Sequence, residues 1–287
     1  MQAGNKKTNI IQWSELIGSS FLFAAAYLVL YISYDYVTAL AAAHFGLEPT
    51  LFYDNIEYEN NSDWYPHAVV RTFSVGAFFM LFLGITFYLF YYFIRKSYIF
   101  LRLFTLWSSL ISFAILAQRL ISVPFSDHFN YRDLDSEGLE LAIVSSYLYF
   151  KDTTELAMAF LGFVLIVAIG YLYAKPFLQT AWSPEQIGSE KERLKFLRAQ
   201  VLLPCLVGGT VVTLVVFPVN LFANSFSLGA ALICLTSMTV HAMLMGPLKV
   251  PRQKKWERWP LVPIAAFILV MVAIKTILTT GLAIPTL

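Results

Sequence analysis

The sequence predicts an all-α integral membrane protein of about seven transmembrane helices, with its N-terminus in the cytoplasm and its C-terminus outside. Three observations carry this. The 287 residues are 58% apolar and 16% aromatic but only 13% charged, against roughly a quarter charged in a soluble domain. Seven stretches have the roughly 20 mostly apolar residues needed to cross about 30 Å of hydrocarbon. The basic residues collect in alternate loops.

The spans are expected at 17–44, 67–94, 97–122, 153–174, 198–222, 226–246 and 261–283, in one polytopic domain. The first run is too long for the core of a cleavable signal peptide. The first three spans exceed the minimum length, so they tilt or project beyond the bilayer. Pro204 and Pro218 predict kinks in the fifth span, and neighbouring helices would have to satisfy the freed carbonyls. Only Asn224-Ser225 separates the fifth span from the sixth, a pair suited to a tight helical hairpin. Cys205 and Cys234 lie within apolar segments and read as small buried hydrophobes, not as a disulfide or a metal site.

Of the 20 basic residues, fourteen (Lys6, Lys7, Arg95, Lys96, Lys175, Lys191, Arg193, Lys195, Arg198, Lys249, Arg252, Lys254, Lys255 and Arg258) fall on the side assigned to the cytoplasm. The opposite loops carry only Arg132 and Lys151, and are rich in Asp and Glu. This bias orients membrane proteins. Trp13, Tyr91, Tyr92, Trp256 and Trp259 are expected as aromatic anchors inside, with Trp64 and Tyr65 outside.

Two outer loops, 45–66 and 123–152, exceed a simple turn. The partly alternating stretch 51–58 predicts a short hairpin. The apolar run 139–150 is too short to span and predicts an interfacial helix or a cap over the bundle.

Ionisable groups in hydrocarbon are costly and usually face the bundle interior. Asp35 lies nine residues from the outer end of the first span, about 14 Å deep at 1.5 Å per residue. Lys275 lies eight residues from the outer end of the last, about 12 Å deep. Opposite sign and similar depth predict an intramembrane charge pair. It would either line a polar pathway or pin helix packing. Tyr31, Tyr34 and Thr38 share a helix face with Asp35 and could hydrogen-bond it. Arg71, Arg119 and Glu155 lie within a turn or two of the outer surface, where snorkelling accounts for them. His241, near the inner end of the sixth span, reads as a hydrogen-bonded structural residue. No zinc-protease signature, phosphate loop or nucleophile elbow is present. No catalytic residue, no metal and no cofactor is therefore expected.

Residues 34–46, Tyr-Asp-Tyr-Val-Thr-Ala-Leu-Ala-Ala-Ala-His-Phe-Gly, resemble the signature helix of site-2 intramembrane metalloproteases. Tyr34 and Thr38 fall at that family's two zinc-ligand positions and Asp35 at its catalytic acid. Residues 47–58 resemble the hairpin that follows. With both histidines replaced, the resemblance implies a degenerate, non-catalytic relative. A second resemblance is to heliorhodopsins, seven-helix retinal proteins with an inside N-terminus. Lys275 lies at the place of their retinal lysine, and the Gly281…Ile284-Pro285 ending is similar. It implies retinal on Lys275 as a Schiff base. The family's glutamate counterion is missing: here Arg102 is followed three residues later by Thr105.

The leading expectation is a non-enzymatic polytopic protein of the cell membrane, a subunit of a larger bacterial inner-membrane assembly. It would contact the lipid bilayer and membrane-protein partners, and no nucleic acid. The alternatives are a transporter or channel using Asp35 and Lys275, a retinal protein, and the degenerate protease relative.

Overall fold

The structure, a computed structural model, describes residues 4–58, 64–94, 98–128, 140–215, 221–246, 248 and 261–286. It is a helical bundle with a small sheet at one end. Helices α1 (Gly4–His44), α2 (Pro66–Ile94), α3 (Ile99–Ser122), α5 (Asp152–Leu178) and α9 (Leu261–Leu278) are long and apolar. The short α6 (Glu190–Leu197) runs through a π-helical turn, Arg198–Leu202, into α7 (Leu203–Val215). Six helical stretches are long and apolar enough to cross a membrane, the α6–α7 stretch Glu190–Val215 among them. A seventh helix, α8 (Leu221–Leu244), is apolar over Gly229–Leu244.

α1 stops where its sequence says it should. Gly46 adopts φ +78°. Its amide donates to the Ala43 carbonyl, and that of Leu47 donates to the Ala42 carbonyl. This is the Schellman arrangement, completed by packing of Leu47 against Ala42. The chain then turns into the expected hairpin, β1 (Pro49–Leu51) antiparallel to β2 (Ile56–Tyr58). A third strand, β3 (Leu282–Ala283), pairs with the other edge of β1. The loop after α1 and the chain end after α9 therefore meet in one sheet. Gly281 makes this turn at φ +77°, where a Cβ would lie 2.8 Å from the Thr50 side chain.

The 139–150 run forms α4 (Glu140–Tyr147). It is a cap, not an interfacial helix. Ile143 and Val144 pack on Val69 and Phe73 of α2, and Leu141 on Ala77 and Val123.

Three expectations change. Asn224 and Ser225 lie within α8, which is described from Leu221; residues 216–220, with Pro218, are outside the described residues. α9 ends at Leu278 and not at 283, because 279–281 turn out of the helix into β3. Tyr91 is buried, with its hydroxyl reaching the Pro176 carbonyl of α5, so it is core and not an interfacial anchor. Arg95, Lys96 and the 249–260 segment with Trp256 and Trp259 are outside the described residues.

Close contacts at small residues tie the bundle, as expected where lipid and side chains are equally apolar. Ser109 of α3 donates to the Gly84 carbonyl of α2 at 2.5 Å and pairs with the Tyr173 hydroxyl of α5. Ser237 of α8 donates to the Val167 carbonyl of α5. Pro204 cannot bond the carbonyl of Gln200, four residues back. The Ser19 hydroxyl of α1 donates to that carbonyl at 2.9 Å, and Trp107 of α3 donates to Ser19 at 3.0 Å. The π-turn is thus accommodated by two neighbouring helices. At the opposite end from the sheet, arginines cap helix C-termini, where a cation suits both the open carbonyls and the dipole. Arg102 donates to the carbonyl of Gln179, which caps α5, and Arg193 to those of Met245 and Gly246 just beyond α8.

Candidate functional site

The C-terminal half of α1 presents Tyr27, Tyr31, Tyr34 and Asp35 at helical spacing. α7 leans on α1, while α8 leans on α5 and α3. Between them runs a cleft of about 480 Å³. Phe23 and the tyrosines line its α1 wall, and Trp107, Gln118 and Arg119 its α3 wall. Cys205, Gly209 and Thr213 come from α7, and Ala230 and Cys234 from α8. Leu206, Leu214 and Leu232 lie at its margin and are exposed, so it opens sideways toward the apolar surface between α7 and α8.

The charged groups gather near the sheet end of the cleft. Glu140, at the start of α4, is placed over the bundle by the apolar contacts of that helix. Its carboxylate lies 3.0 Å from Arg119 Nε. The Arg119 guanidinium stands 5.1 Å from the centroid of the Tyr34 ring, a cation–π distance. Asp35 lines the same cleft. Arg119 and Glu140 are each 8% exposed. Snorkelling, expected for Arg119, does not describe it: the side chain turns inward to a carboxylate that the cap helix supplies. The Tyr27 and Tyr31 rings lie within 10° of parallel along the same wall, their centroids 6.3 Å apart.

The other candidate residues are placed as follows. Thr38 donates to the Tyr34 carbonyl within its own helix. Glu155 accepts from Ser145, tying α5 to the cap, and is also buried. Arg71 is exposed on α2, where snorkelling remains open to it. His241 lies parallel to the Tyr171 ring, 3.5 Å between centroids. Its Nδ1 hydrogen-bonds the Tyr171 carbonyl, which can only accept, so Nδ1 carries the proton. Lys275 lies in the last turn of α9 with its ammonium 3.4 Å from the centroid of the Tyr53 ring. Because α9 ends at Leu278, Lys275 is about 5 Å, three residues, from its helix end. Asp35 lies nine residues, about 14 Å, from the end of α1, so the two residues differ in distance from their helix ends. Asp35 lines the cleft, and Lys275 does not.

No protein-family model, curated protein or solved structure matches this chain. The cleft is read from its own chemistry. Among the described residues, no three His, Cys, Asp or Glu side chains gather where a metal could sit. The cleft holds a charged, hydrogen-bonding end and a long apolar wall with a lateral opening.

Arg119, Glu140 and Trp107 complete this site; sequence reasoning placed Arg119 at the surface and did not single out Glu140 or Trp107. Arg119 is an intramembrane ion of the same class as Asp35, and that was the available signal. Glu140 has none, since its position depends on how α4 folds back over α2.

Proposed function

We propose that this chain is a seven-span protein of the bacterial inner membrane that admits an amphiphile from the bilayer into the cleft between α7 and α8. In this reading the head sits at the Asp35–Arg119–Glu140 cluster and the tail lies along Val212, Leu235 and the open margin. The observation that carries the reading is the 480 Å³ cleft, polar at one end, apolar along its length and open to the side. The volume falls within the ordinary range for small-molecule sites. This belongs to the binding or transport class, and no described feature favours the assembly-subunit reading over it. The N-terminus is cytoplasmic and the C-terminus outside, as the fourteen-to-two basic asymmetry supports.

The test uses Gly209, which lines the cleft and whose Cβ would meet nothing within 4 Å. Gly209→Trp should fill the cleft without disturbing the fold. Protein extracted with its surrounding lipid should carry one bilayer component enriched over the bulk membrane, measured by mass spectrometry. The variant should lose that enrichment at unchanged thermal stability. Bulk lipid composition in both samples would refute the reading.

A further inference from the structure

Two carboxylates, Asp35 and Glu140, and one guanidinium, Arg119, face the polar end of the cleft. Their formal charges, two negative and one positive, leave a net −1. The guanidinium is already engaged, with Glu140 at 3.0 Å and the face of Tyr34 beneath it. An anionic head would have to displace Glu140 from Arg119 while approaching Asp35. The walls favour the opposite sign. Tyr27, Tyr31, Tyr34, Phe23 and Trp107 line the same cleft. Aromatic faces attract ammonium groups, and quaternary ammonium most characteristically, because it has no strong hydration to lose.

We propose that the cleft selects a single-chain amphiphile with a positively charged head, an amine or a quaternary ammonium, held by Asp35 and the aromatic wall. This deepens the amphiphile-cleft reading and rests on it. The head takes the place opposite Asp35, and Arg119 and Glu140 stay paired as the floor.

Three photoreactive probes with the same dodecyl tail separate the possibilities: one with a trimethylammonium head, one with an alcohol, one with a carboxylate. Each is added to the full-length protein in lipid nanodiscs, and adducts are mapped by peptide mass spectrometry. The trimethylammonium probe should label α7 and α8 cleft peptides about tenfold or more over the carboxylate probe, with the alcohol between them, as a like-charge contact requires. Asp35→Asn should shrink that preference and Asp35→Glu should keep it. Gly209→Trp should abolish cleft labelling by all three. Equal labelling by the three heads, still lost in Gly209→Trp, would overturn the charge selection and leave the cleft reading standing. If no probe labels the cleft above the exposed face of α9 around Leu269, the cleft reading itself falls.

Discussion

Arg119 and Glu140 show how much one buried ion depends on its partner. Both are withdrawn from solvent, and they form an ion pair at 3.0 Å. Glu140→Ala leaves a guanidinium in low dielectric without its anion, which should cost about 3–5 kcal/mol. The thermal midpoint in detergent should fall accordingly. Arg119→Met combined with Glu140→Leu should regain most of that loss, because replacing a whole buried pair by apolar groups is often close to neutral. Additive losses would show that the two side chains are not coupled. The same residues mark where the sequence was legible. Asp35 and its tyrosines could be read as a polar face because they stand out in apolar surroundings. Arg119 looked like a snorkelling residue because its partner lies in a loop with no periodicity to place it. The end of α9 was placed too far along for a different reason. The apolar count ran on through Leu282 and Ala283, although Thr279-Thr280-Gly281 is an adequate helix stop.

At the scale of elements, α5 and α8 approach closely at Gly170. A Cβ on Gly170 would lie 2.2 Å from the Cys234 carbonyl oxygen, and that oxygen belongs to backbone that cannot swing aside. Gly170→Ala should therefore push the helices apart and destabilise the protein by about 1–3 kcal/mol. Gly209→Ala, in open space, should be neutral. Comparing the two midpoints checks this, and an undiminished Gly170→Ala midpoint would mean that the interface yields readily. Glycine positions of this kind were not legible. A helix that is apolar all round has no amphipathic stripe to say which face meets a neighbour and which meets lipid. The positions of the long apolar helices were legible, because length and apolarity suffice. So was the need for a neighbour at Pro204, since a missing donor always leaves a carbonyl, though only the fold could name Ser19 as the answer. The Asn224-Ser225 turn failed because two polar residues do not break a helix whose propensity is otherwise good.

At the scale of the whole molecule, parity connects the sheet to the span count. β1 follows α1 directly, β3 follows α9 directly, and the two strands pair. The C-terminal ends of α1 and α9 therefore lie on the same side, and the two helices cross in the same sense. A chain that alternates direction satisfies this only with an odd number of spans. With the six longest apolar stretches alone the end of α9 would fall on the other side; the proposed seven-span topology, in which α8 crosses as well, agrees with the sheet. The charge pattern, which owes nothing to the sheet, also supports an odd count, with the sheet outside. A reporter fused after Leu287 should accordingly behave as extracytoplasmic, and one inserted near Lys254 as cytoplasmic. Moving the basic residues Lys249, Arg252, Lys254, Lys255 and Arg258 to neutral ones should weaken the second result without reversing the first, because β3 remains tied to the outer hairpin. Cytoplasmic behaviour of the Leu287 fusion in the unaltered chain would break the parity, remove one crossing, and detach the cleft from the bilayer geometry on which its lateral opening depends.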